Sequence, residues 1–170
     1  MSVVGAVVTA AVSTLGDYLW ANVLPHGQPI YWFAHAIVLF LTVGFCLGWP
    51  SHKPLAGAIG AAAIGCVATA GFYFLQPLMG YSAMFVLFVA LWVGLGLLTG
   101  RVLQERHDVG GVLARSALAA IGSGLGFYAI SGIWFPFKPQ GWNYVEHFWK
   151  WAVAYFPAFA ALLVGQKHQP

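Results

Sequence analysis

The chain has 170 residues, of which 61% are apolar and only 6% charged, where an ordinary soluble domain carries about 25% charged residues. Seven Lys and Arg stand against four Asp and Glu, too few charges to give a globule a polar surface and no basic patch of the kind nucleic acid requires. A soluble domain, a disordered chain and a nucleic-acid binder are excluded. The expected class is an all-α, polytopic membrane helical bundle, one integral-membrane domain over residues 1–170 with the lipid bilayer as its solvent.

The first apolar run, 3–24, begins almost at Met1. It has no Lys or Arg ahead of Lys53, so it lacks the basic region that opens a signal peptide and reads as a retained helix. Proline separates the runs that follow, at Pro25, Pro29, Pro50, Pro54, Pro77, Pro136, Pro139 and Pro170. The later runs are 30–49, 55–76, 81–103, 111–134 and 144–165, each about 20 residues long, enough to cross a hydrocarbon core of about 30 Å as helix. Only Pro157 falls inside a run, where it is expected to kink the last helix. A five-span arrangement with the last run peripheral is the main competitor.

Orientation follows from the basic residues of the short loops. With six spans, Lys53, Arg101, Arg106, Arg115 and Lys167 share a side with both termini, and only Lys138 and Lys150 face the other. Both termini are therefore expected in the cytoplasm, with a bacterial plasma membrane as the location. The segment Gln104–Gly111 reads as a solvated turn. Small residues recur every fourth position: Gly57, Ala61, Gly65 and Thr69 on the third helix, Gly44 and Gly48 on the second, Gly96 and Gly100 on the fourth. They let helix backbones approach closely, within the chain or in a subunit interface. Cys46 and Cys66 lie in apolar runs and read as small buried hydrophobes.

Most of the unusual polar residues fall in the outer half. Asp17, His35 and Lys150 come to about the same depth, roughly 7–10 Å below the outer helix ends at about 1.5 Å rise per residue. Asp17 is in phase with Ala6, Ala10, Ser13 and Ala21, a stripe that should face other helices. His35 is in phase with Tyr31, Thr42 and Cys46. Asn143, Glu146, His147 and Lys150 form one stripe at i, i+3, i+4, i+7 on the last helix, and Gln76 closes the third. Charge inside a bilayer usually faces the bundle interior and pairs. The expected pair is Asp17 with Lys150, flanked by His35, Glu146 and His147.

Aromatic residues gather on the same side, among them Trp20, Tyr31, Tyr73 and Trp142. This suggests an outward-facing cavity walled by rings and holding a few polar groups, with the loop 135–143 as a lid. The leading function is binding or transport of a small aromatic or amphiphilic solute at residues Asp17, Trp20, Tyr31, His35, Tyr73, Gln76, Trp142, Asn143, Glu146, His147 and Lys150. An enzyme with a His and acid site open to the outer leaflet is the alternative, with His35, Glu146 and His147 as metal-ligand candidates. A third is a structural subunit, partnered by a second copy or by another membrane protein. No motif names a cofactor or a reaction.

Overall fold

The computed structural model describes residues 1–24, 29–131 and 143–164. Six long helices account for most of them: α1 Ser2–Asn22, α2 Pro29–Gly48, α3 Pro54–Met79, α4 Ala83–Leu97, α5 Val109–Ser131 and α6 Asn143–Leu163. A six-residue π-helical stretch, Leu98–Leu103, continues α4. Pro29 and Pro54 open α2 and α3, where the missing N–H costs nothing because the first turn has no intrahelical acceptor for it. Pro77 departs from its expected role as a boundary, since α3 runs through it to Met79. Proline there removes only the bond to the Tyr73 carbonyl one turn from the helix end, and so is tolerated.

Consecutive helices are adjacent and antiparallel, and α6 returns to lie against α1, closing a ring. Five of the six, α1 to α5, are long and apolar enough to cross a membrane. The sixth has the same length as α1, but Glu146, His147 and Lys150 make its first two turns polar. The molecule is also inverted relative to a soluble protein. On α3, Gly57, Ala58, Ala61 and Gly65 are buried, whereas Leu55, Ile59, Val67, Phe74 and Leu78 are between 68% and 82% exposed. Large apolar side chains on the outside and small ones inside suit a lipid solvent, where packing rather than water exclusion joins helices. The chain is an integral membrane protein.

The small-residue stripes are spent within the chain. A Cβ on Gly44 would strike the Gly57 carbonyl, and one on Gly57 would strike the Gly44 carbonyl. Phe40 lies against Gly65 on the same joint, and Gly96 and Gly100 receive Ser116 and Val112 where α4 meets α5. Trp92, Val43, Leu47, Leu95 and Phe159 fill the middle of the ring and are almost wholly buried.

Lys53, Arg101, Arg106 and Arg115 gather at one end of the bundle, the end that holds Ser2 and Val164. The segment after the π-helical stretch is more than a solvated turn. Gln104 Nε2 donates to the Leu162 carbonyl (3.0 Å), and Arg106 (3.2 Å) and Arg115 both donate to that of Val164. These cations sit where the dipole and orphan carbonyls of the α6 C-terminus favour them. Asp108 caps α5 through Gly111 N–H (3.0 Å). Glu105, at a left-handed φ of 53°, pairs with Lys53, whose hydrogen bond holds the carboxyl below the usual carboxylate range.

Three outcomes follow. Gly44→Val or Gly57→Val overpacks the α2–α3 joint and should cost at least about 1–3 kcal/mol in a reversible unfolding assay. Gly110→Ala, whose added Cβ meets only Asp108 Oδ1 at 3.5 Å, should be neutral or stabilising by up to about 1 kcal/mol. The Lys53–Glu105 pair is intact at neutral pH and is lost as pH falls through the lowered Glu105 value. Lys53→Met should raise the Glu105 titration midpoint measured by NMR.

Candidate functional site

The α1–α6 joint is built from contacts spaced along the whole of α1. Phe159 fills the space beside Gly5, Ser13 Oγ meets the Tyr155 hydroxyl at 3.0 Å, and Asn22 Nδ2 donates to the Tyr144 hydroxyl at 2.8 Å. Between the last two lies Asp17. Ala6, Ala10, Ser13 and Ala21, the stripe that carries it, are all buried. The inward phase read for Asp17 is therefore the phase it has.

Its partner differs from the expected one. Asp17 Oδ2 lies 2.8 Å from His147 Nε2 and accepts the Trp151 indole N–H at 3.0 Å. Lys150 pairs with Glu146 instead, at 2.8 Å along the same helix. His147 and Lys150 are three residues apart, so their directions differ by about 60° around the helix axis. When His147 faces α1, Lys150 turns aside, and Glu146 at i−4 is its natural neighbour. His147 is 16% exposed and Asp17 33%.

The three atoms Asp17 Oδ2, His147 Nε2 and Trp151 Nε1 form a triangle with sides of 2.8, 3.0 and 3.0 Å. An indole N–H only donates. Oδ2 and Nε2 both carry lone pairs, so a 2.8 Å approach requires a proton between them. In its Nε2–H tautomer the imidazole donates that hydrogen to the carboxylate. The Trp151 ring is fixed in turn by stacking on Tyr155, centroids 5.3 Å apart and planes 15° apart.

The other side of Asp17 faces a cavity of about 340 Å³ between α1 and α2, lined by Asp17, His35, Trp20, Tyr31, Leu19 and Val38 among others. His35 fits there because residue 16 is glycine; a Cβ at Gly16 would overlap the imidazole. Its rim is apolar and open. Leu15 is 58% and Val38 54% exposed, so the mouth gives onto the lipid-facing surface. A second cavity, about 600 Å³, continues the same joint toward the basic end, lined by Val4, Val8, Leu41, Thr42, Cys46 and Trp49 among others. The phase that grouped Tyr31, His35, Thr42 and Cys46 is thus the face of α2 turned toward α1.

Four of the expected site residues, Asp17, Trp20, Tyr31 and His35, meet at one cavity, and His147 reaches it through Asp17. Others lie apart. Tyr73 stacks on Phe33 (centroids 5.9 Å) on the α2–α3 side, Gln76 and Asn143 are exposed, and Glu146 and Lys150 pair with each other. Trp142 and all of the supposed lid except Asn143 lie outside the described residues. His35, Glu146 and His147 do not converge as a ligand set, and no group of three or more His, Cys, Asp or Glu suited to a metal occurs among the described residues. Sequence reasoning missed Trp151, Tyr155 and Gly16. The signal for the first two was their position, one and two turns after His147 on the same face.

No protein-family model matches the chain, and neither the curated proteins nor the solved structures include a similar one.

His147→Leu should destabilise the bundle by about 1.5–3 kcal/mol, the range for a hydrogen bond to a charged group. Lys150→Met, which removes a pair at the helix surface, should change stability by less than about 1 kcal/mol. Equal losses in a reversible unfolding assay would contradict the pairing.

Proposed function

We propose that this membrane protein binds, and passes along its α1–α2 joint, a small amphiphilic solute taken up in the outer cavity. The observation that carries this reading is the placement of a carboxylate and an imidazole, Asp17 and His35, in an otherwise apolar pocket with Trp20 and Tyr31 on its wall. Ionisable groups are costly at membrane depth and usually mark a ligand or ion pathway. Concave, mostly apolar sites with a few convergent polar groups are the usual form of small-molecule sites. This joint holds two cavities end to end. A solute moving along it would leave the polar cavity for the apolar one near the basic end. With the basic end cytoplasmic, the polar cavity opens in the outer leaflet of a bacterial plasma membrane.

Native mass spectrometry of the chain, purified gently from its own membrane, tests this. A retained organic mass is expected on the wild-type protein. Gly16→Val drives the His35 ring into the cavity and should abolish retention without unfolding the bundle. A wild-type chain that retains nothing and binds no amphiphile offered to it would contradict the reading.

A further inference from the structure

We propose that the outer cavity selects organic cations. This rests on the reading of the cavity as an amphiphile site and adds the charge of the occupant.

The charge of the occupant follows from what faces the cavity. Among the described residues that line it there is one carboxylate, one imidazole and neither Lys nor Arg. The nearest cation on α6, Lys150, is paired with Glu146 at 2.8 Å. An anion entering here would meet the Asp17 carboxylate in an apolar surround that screens little, whereas a cation would neutralise it. Trp20 and Tyr31 on the wall add the aromatic faces to which cations are drawn. The rim, with Leu15 and Val38 more than half exposed, suits an apolar body that arrives from the lipid.

The same carboxyl is held from the α6 side, where Asp17 Oδ2 lies 2.8 Å from His147 Nε2 and accepts the Trp151 indole N–H. A cation entering between α1 and α2 therefore meets an anchored carboxylate.

The test uses the full chain in lipid nanodiscs and three probes of similar bulk: tetraphenylphosphonium, tetraphenylborate and neutral triphenylphosphine oxide. Titration calorimetry gives the affinity of each probe. Tetraphenylphosphonium should bind tightest. Asp17→Asn should weaken its binding by about tenfold or more, the change that about 1.4 kcal/mol produces, and Asp17→Glu should retain it. The comparison of probes on the wild-type chain stands even if a variant fails to fold. Equal or tighter binding of the borate or the phosphine oxide would overturn cation selection while leaving the cavity an amphiphile site. No binding of any probe would overturn both this inference and the function on which it rests.

Discussion

A carboxylate inside a ring of apolar helices is tolerated only when other groups take up its charge. Asp17 meets that condition through α6: His147 hydrogen-bonds with it and Trp151 donates to it. Much of the architecture follows from this contact. It fixes the register of α1 against α6, which Ser13–Tyr155 and Asn22–Tyr144 then repeat one turn to either side. It also orients α6, whose polar first turns would otherwise be poorly placed beside five apolar helices.

Because α1 is committed to α6 and α2 is locked to α3 through Gly44 and Gly57, the two neighbours α1 and α2 belong to different packing units. Their joint carries a polar cavity at one end and an apolar one at the other. The opposite end of the ring is held shut by Gln104, Arg106 and Arg115 on the last carbonyls of α6. The molecule thus combines a clamped basic end with an open joint next to the Asp17 carboxylate. That combination is what a small-solute site needs: a fixed polar anchor and a way in from the lipid.

The bundle was legible in the sequence because run length and lack of charge dictate helices in lipid, and helical phase put Asp17 on the stripe of α1 that is buried. Small residues every fourth position likewise marked where backbones touch. Pairing was not legible. Depth places Asp17, His147 and Lys150 together, but the choice between His147 and Lys150 depends on how α6 is rotated, and an amphipathic stripe specifies rotation only to within about a quarter turn. The spacing of Glu146 and Lys150 pointed to an intrahelical pair that competes for the lysine. Gly16 carried no signal by itself, since its role exists only once His35 of another helix lies against it. Pro77 misled because a proline near a helix end resembles a boundary.

The contact between α1 and α6 can be observed directly. Solid-state NMR on the full chain in lipid, with aspartate carboxyl carbons and histidine and lysine side-chain nitrogens labelled, reads which nitrogen lies beside Asp17. Through-space transfer from the Asp17 carboxyl carbon should reach His147 Nε2. Transfer to Lys150 Nζ with none to His147 would contradict the Asp17–His147 hydrogen bond, the register of α1 on α6 and the cation site built on them.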